Sequence, residues 1–148
     1  MERERGIILS VNRSDRTGTK KRPVGICRLI KDQGMEHDGH AGPGDRQVSL
    51  LAKESIDTMR AKGLYIDFGD FAENFTTEGI ELVALPLGTQ LKAGNSAVLE
   101  ITRIGKECHE RCHIFHSVGD CVMPRDGVFA RVLEGGEVND GDSLTIKV

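Results

Sequence analysis

The eighteen glycines of this 148-residue chain constrain its fold most, because they separate short apolar segments at close intervals. Residues 6–11, 97–103 and 127–133 are apolar or alternate between apolar and polar side chains. This length and pattern favour β-strands, and the intervening glycines favour tight turns. The sequence therefore predicts a mainly β fold, a closed or partly open β-barrel with a few short helices.

One segment has a helical pattern. In residues 53–62 the apolar side chains of Ile56 and Met59 recur at helical spacing, and Gly63 follows as a stop signal. Residues 47–51 are predicted to form a strand before this helix, and residues 134–136 a turn. Cys27 has apolar neighbours and is predicted to be a small core residue. The length fits a single domain covering residues 1–148.

Charge and hydropathy exclude several classes of protein. The formal net charge of −3 gives no support for a nucleic-acid or membrane-surface binder. No apolar run approaches the roughly 20 residues of a membrane span, and residues 1–5 lack the apolar segment of a signal peptide. We therefore expect a cytoplasmic protein whose four cysteines are free thiols, metal ligands or catalytic groups.

Two loops are candidates for binding sites. Residues 13–22 contain five cationic side chains, which suit an anionic ligand or a solvated loop. Residues 34–45 combine four glycines with His37, Asp38, His40 and Asp45. This segment has no periodicity and is predicted to be a loop that cannot pack a core. It holds functional groups or is a solvated turn.

The densest group of reactive side chains lies in residues 105–116, which contain two cysteines and three histidines. One interpretation is a structural zinc site, although a second ligand pair with standard spacing is absent from the sequence. A second is a set of surface histidines and unremarkable thiols. A third is a reactive thiolate at Cys112, because Arg111 and Lys106 would lower its pKa below the free value of about 8.5. Such a thiolate binds a soft metal or carries a sulfane sulfur, with Cys108 or Cys121 available to resolve a persulfide.

Seven blocks of the sequence, taken in order, resemble the MOSC domain, the domain named for the C-terminus of molybdenum cofactor sulfurase. Each block alone is weak, but their order and spacing extend from about residue 7 to residue 148. The blocks are residues 38–42 (DGHAG), 48–51 (VSLL), 69–76 (GDFAENFT), 85–88 (LPLG), 110–114 (ERCHI), 127–133 (GVFARVL) and 139–142 (NDGD).

This resemblance implies a β-rich barrel with a few helices and a pocket for the molybdenum cofactor, an anionic pterin phosphate whose dithiolene holds the metal. Cys112 matches the characteristic cysteine of the family, a molybdenum ligand or sulfur carrier and hence the candidate catalytic residue. The cationic loop suits the pterin phosphate. The expected cofactor-binding residues are Asp38, His40, Gly42, Glu73, Asn74, Arg111 and Arg22.

The resemblance has departures as well. Cys108 and the dense histidines around Cys112 are not expected in every member, and they leave room for a different metal bound with help from Cys108, His109 or His113. The family also carries a general association with pyridoxal phosphate binding. Larger relatives have additional modules for electron delivery, so a redox activity of this chain would need a separate donor.

The sequence thus predicts a protein that binds the molybdenum cofactor (molybdopterin). It would act in cofactor sulfur handling or in the reduction of N-hydroxylated small molecules. The expected partners are a molybdoenzyme, a cofactor-biosynthesis protein or an electron donor, with no nucleic acid and no membrane. The alternatives are a zinc-stabilised interaction module without catalysis and a metal-free persulfide carrier.

Overall fold

The computed structural model describes residues 5–15, 20–39, 41–105 and 126–147. The elements within these ranges are eleven strands, one α-helix and one short 3-10 turn. In chain order they are β1 (Arg5–Arg13), β2 (Arg22–Pro23), β3 (Ile26–Ile30), β4 (Gly34–Met35), β5 (Val48–Ala52), α1 (Lys53–Arg60), β6 (Phe75–Glu78), the 3-10 turn (Leu82–Ala84), β7 (Gln90–Ala93), β8 (Ala97–Ile104), β9 (Val128–Glu134), β10 (Gly136–Asn139) and β11 (Ser143–Ile146).

Seven strands close into a barrel in the order β1-β6-β5-β9-β8-β7-β11, and β11 pairs with β1 to complete the ring. Every neighbouring pair is antiparallel except β5 and β6. This confirms the predicted barrel. Closure removes the exposed strand edges that an open sheet of this size would present.

Strand direction defines two rims. β1, β7 and β9 start at one rim, which we call the Arg5 rim, and β5, β6 and β8 end there. β1 ends at the opposite rim, which we call the Arg13 rim, and there β5 and β6 begin. The backbone N–H of Gly105 donates to the carbonyl of Gly127 at 2.6 Å, so the two described segments that flank residues 106–125 meet at the Arg5 rim.

The barrel core is formed by the buried apolar side chains of its strands. In β8 the buried Leu99 and Ile101 follow strand alternation, whereas the buried Ile8 and Val11 of β1 are three residues apart, because that strand has a register shift between Ile8 and Ser10. All four side chains belong to one hydrophobic cluster. A second cluster fills the space between β5 and α1, where Ile56 and Met59 form the buried face of the helix, as their spacing predicts.

A small sheet, β10-β3-β4, lies beside the barrel and corrects two predictions. Residues 134–136, predicted as a turn, are mostly strand: Glu134 ends β9 and Gly136 begins a further strand, β10, whose Val138 pairs with Cys27 on β3. Residues 34–45 are not wholly loop, because Gly34 and Met35 form a strand and Met35 is fully buried. Cys27 is buried, as predicted.

In the part of the chain that the structure describes, no helix has the length and apolar character needed to cross a membrane.

Candidate functional site

A cleft of ≈ 370 Å³ opens at the Arg13 rim, between the end of β1 and the short strand β2. Its lining is dominated by cations from the loop that the sequence singled out. The lining residues are Arg13, Ser14, Asp15, Lys20, Lys21, Arg22 and Asp70. β2 positions this loop by pairing with β1, Arg13 opposite Arg22 and Asn12 opposite Pro23. The cleft has the charge and the size of a site for a small anionic group.

Adjacent cations of this loop have different environments. Lys21 is buried, whereas Lys20 and Arg22 on either side of it are exposed. This alternation is that of an extended chain, whose successive side chains point to opposite faces. Lys20 and Arg22 are therefore available to a ligand in the cleft.

The Lys21 ammonium forms an ion pair with Asp38, at 2.8 Å from Oδ1 and 3.1 Å from Oδ2. Both side chains are 0% exposed. Oδ1 of Asp38 also accepts the backbone N–H of Ser14 at 3.1 Å, and the N–H of Gly39 donates to the Ser14 carbonyl at 2.7 Å. The pair thus connects the glycine-rich loop of residues 34–45 to the cationic cleft. The sequence predicted these two segments as separate candidate sites.

Glu73 holds the turn that forms the other wall of the cleft. Its Oε2 accepts the N–H of Gly69 at 3.0 Å and the hydroxyl of Thr76 at 2.7 Å, and its Oε1 accepts the N–H of Phe71 at 3.2 Å. Because Glu73 is fully buried, desolvation raises the pKa of its carboxyl, and the three donors oppose that rise. The carboxyl fixes the backbone turn over residues 69–71.

Asn74 joins three strands where β6 begins. Its Oδ1 accepts the N–H of Ser49 on β5 at 3.0 Å, and its Nδ2 donates to the carbonyl of Asn12 on β1 at 3.3 Å. The N–H of Asn12 returns a bond to the Asn74 carbonyl at 2.7 Å. The buried Asn74 side chain thus adds hydrogen bonds between β1, β5 and β6 beyond the backbone pairing, next to the turn held by Glu73.

The far end of the glycine-rich loop is attached to the barrel wall. Nε2 of Gln47 donates to the Gly44 carbonyl at 3.1 Å. The Thr102 hydroxyl donates to the Asp45 carbonyl, and the Arg46 guanidinium lies 5.7 Å from the ring centroid of Phe129. The carbonyl of Gln33 accepts the N–H of Gly42 at 2.7 Å. The loop therefore has defined anchors on both sides of residue 40.

The sequence-predicted residues fall into two groups. Asp38, Gly42, Glu73, Asn74 and Arg22 are described, and all belong to the region of the Arg13 rim or the loop joined to it. Six others lie outside the described residues, so their assignments stay predictions: His40, Cys108, His109, Arg111, Cys112 and His113. Within the described ranges, no group of three or more histidine, cysteine or carboxylate side chains is arranged to hold a metal ion.

Sequence reasoning missed three buried polar residues of this region, Asn12, Ser49 and Gln47. Most of their hydrogen-bond partners lie at least 15 residues away in sequence, up to 85 residues in the case of Gln47 and Val132. No local pattern could have identified them. A buried lysine was also missed, because three consecutive cations appear uniformly exposed in a sequence.

A family model described as MOSC domain matches residues 36–145. Solved structures share the fold at low identity. YuaD from Bacillus subtilis has a TM-score of 0.78 and 15% identity, covering 96% of this chain and 95% of that chain. YiiM from Geobacillus stearothermophilus has a TM-score of 0.72 and 21% identity, covering 97% and 75%. YiiM from Escherichia coli has a TM-score of 0.65 and 18% identity, covering 97% and 70%. The sequence matches no curated protein.

Proposed function

The chain belongs to the MOSC domain family, and from this membership we propose that it binds the molybdenum cofactor. In this proposal the cationic cleft takes the phosphate of the pterin and Cys112 supplies a thiolate to the molybdenum or to a transferable sulfur. The bound cofactor would supply a metal centre that accepts and donates electrons. The observation that carries the proposal is the cleft itself, with its exposed cations on a fixed backbone.

The chemistry of the cleft fits a phosphate. Arg22 and Lys20 are exposed there, and Arg13 is half-buried beside them. Guanidinium and ammonium groups form short charge-assisted hydrogen bonds to phosphate oxygens. The cleft keeps a net positive charge even after Asp15, Asp70 and the buried Asp38 are counted against its four cations. A monoanionic or dianionic phosphate is therefore stabilised in it.

Cys112 lies seven residues after Gly105, which is at the Arg5 rim. In the proposal its thiolate reaches the molybdenum of a cofactor whose phosphate lies in the cleft, and His40, Gly42 and Arg111 contact the same cofactor.

Two reactions are compatible with this arrangement. In the first, an external donor supplies two electrons and two protons, and an N-hydroxylated small molecule is reduced to the amine with release of water. In the second, the protein passes sulfur or the whole cofactor to a molybdoenzyme. An assay with an added electron donor distinguishes them, because only the first consumes reducing equivalents in proportion to substrate.

The central experiment is to purify the chain from a host that makes the cofactor, and to measure molybdenum and pterin fluorescence together. The proposal predicts both in equal amounts. Arg22→Gln should weaken retention roughly tenfold, since a hydrogen bond to a charged group contributes about 1.5 kcal/mol or more. The matched control is Arg28→Gln, an exposed arginine of β3 outside the cleft. Equal loss in both variants would contradict the cleft assignment.

The role of the cysteine needs its own variant. Cys112→Ala is expected to lose molybdenum while keeping measurable affinity for a metal-free pterin phosphate. Full molybdenum occupancy in Cys112→Ala would remove the ligand role. Stoichiometric zinc with no pterin would instead support a zinc-stabilised module, and an added sulfur on Cys112 without any metal would support a persulfide carrier. Either result overturns the cofactor proposal.

A further inference from the structure

We infer that Lys21 is a positioning residue: its buried ion pair with Asp38 sets the exposed cations of the cleft, Lys20 and Arg22, and its own ammonium is not a ligand of the anion. The inference rests on the proposed function only for the identity of that anion. From sequence, Lys21 would be grouped with its cationic neighbours as a phosphate ligand. The geometry assigns it a different role.

The Lys21 side chain is 0% exposed although its residue belongs to the cleft lining. Its ammonium lies within hydrogen-bond distance of both carboxylate oxygens of Asp38. Because the Lys21 side chain is 0% exposed, a ligand in the cleft could reach the ammonium only by drawing it out of its buried position beside the Asp38 carboxylate. Leaving one buried charge without its counter-ion is strongly unfavourable. The ammonium therefore stays with Asp38 when an anion binds.

The backbone of Lys21 is held as firmly as its side chain. Its N–H donates to the Gly69 carbonyl at 2.8 Å, and the N–H of Gly69 in turn donates to Glu73 at 3.0 Å. Asp70, which lines the cleft, follows directly in this turn. One buried carboxyl thus fixes the turn that contacts the cationic segment.

Asp38 also contacts the remaining segment of the cleft lining, residues 13–15. Its carboxylate accepts the N–H of Ser14, which lines the cleft directly after Arg13. The three lining segments, residues 13–15, residues 20–22 and residue 70, are consequently joined behind the cleft by two buried carboxyl groups. Displacing Lys21 would shift Lys20 and Arg22 together.

The test is a comparison of single and double variants with inorganic phosphate as the probe, titrated by calorimetry. Lys21→Met removes the ammonium that pairs with the buried Asp38 carboxylate and should weaken phosphate binding about tenfold. Lys21→Met combined with Asp38→Asn removes both charges and keeps an acceptor for the Ser14 N–H. This double variant should return to within about threefold of the wild-type affinity. A double variant as weak as Lys21→Met would overturn the inference, because it would mean that the ammonium itself binds phosphate.

Amide hydrogen exchange gives a readout independent of phosphate. In Lys21→Met the amide of residue 21 should exchange about tenfold faster, with amides of β8 and β9 unchanged, and the double variant should recover protection. Unchanged exchange at residue 21 in Lys21→Met would overturn the positioning role whatever the titration shows. If the wild type binds no phosphate, the proposed anion site fails, and the exchange result alone decides whether Lys21 positions this segment.

Discussion

The carbonyl of Lys21 lies directly against the α-carbon of Gly69, and a Cβ at position 69 would overlap its oxygen and stand 2.8 Å from its carbon. Gly69 also has a φ of +95°, in the region that L side chains rarely adopt. The Lys21 N–H donates a hydrogen bond to the Gly69 carbonyl at 2.8 Å. The cationic segment and the turn of residues 69–71 are therefore packed backbone to backbone.

Gly69→Ala is expected to destabilise the protein by more than its backbone conformation alone explains. The left-handed conformation costs a non-glycine residue about 1–2 kcal/mol, and the overlap with Lys21 adds about 1–3 kcal/mol. Gly63→Ala is the matched control, with a φ of +92° and open space around its Cβ. The free energy of unfolding in urea measures both. Equal destabilisation of the two variants would show that Gly69 does not pack against Lys21 as described.

Cys27 is expected to be inert in the native protein. Burial raises the pKa of its thiol to about 12, so almost none of it is thiolate near neutral pH, and only the thiolate is nucleophilic. Brief alkylation with iodoacetamide followed by mass spectrometry should leave Cys27 unmodified and modify it after unfolding. Rapid native labelling of Cys27 would contradict its place in the core. The assay also reports directly on Cys108, Cys112 and Cys121.

The barrel was predictable because its long strands carry local signals. In the middle of β8 the buried Leu99 and Ile101 alternate with the partly exposed Glu100 and Thr102, and the helix α1 repeats Ile56 and Met59 at helical spacing. Strands of two residues, such as β2 and β4, are too short to show a hydrophobic alternation, and only their pairing with β1 and β3 defines them. β10 was missed for a related reason, since it begins at Gly136, where glycines indicate a turn.

The residue types of the candidate site could be predicted from the sequence, but the burial and the partners of its carboxyl groups could not. Asp38 and Glu73 stood out through their resemblance to family blocks, which suggests exposed functional groups. In the structure both are buried carboxyl groups held by Lys21 and by backbone N–H donors. Burial of a charge depends on partners brought together by the fold, and Asp38 lies 17 residues from Lys21. No spacing rule in the sequence encodes that contact.

Glu73 should make stability fall as pH rises. Its pKa in the folded protein is raised above the ordinary value of 4.5 by burial. Between the two values the folded chain holds a proton that the unfolded chain has released, so the free energy of unfolding decreases with increasing pH across that window. Urea unfolding from about pH 4 to about pH 8 should show this slope in the wild type.

Glu73→Gln removes that titrating group, so the difference in stability between wild type and variant should shrink as pH rises. Glu134→Gln makes the same chemical change at the exposed end of β9 and should keep the wild-type slope. A wild-type advantage over Glu73→Gln that grew with pH would mean that the hydrogen bonds to the carboxylate outweigh its burial.

Gln47 anchors the glycine-rich loop through opposite ends of one buried amide. Its Oε1 accepts the N–H of Val132 at 2.9 Å, and its Nε2 donates to Asp32 at 3.1 Å and to the Gly44 carbonyl. Gln47→Leu leaves a buried N–H without its acceptor and should cost about 1–3 kcal/mol.

Gln47→Glu tests the same geometry through the pH dependence of stability, which a simple loss of packing would not change. It keeps an acceptor for Val132 but directs a second carboxylate oxygen at two acceptors, Asp32 and the Gly44 carbonyl. Above the pKa of the introduced carboxyl this arrangement is repulsive, and protonation replaces the repulsion by a hydrogen bond. The stability of Gln47→Glu relative to wild type should therefore recover as pH falls. Gln90→Glu, on the half-buried face of β7, should show no such recovery, and a pH-independent deficit in Gln47→Glu would place the Gln47 amide outside this network.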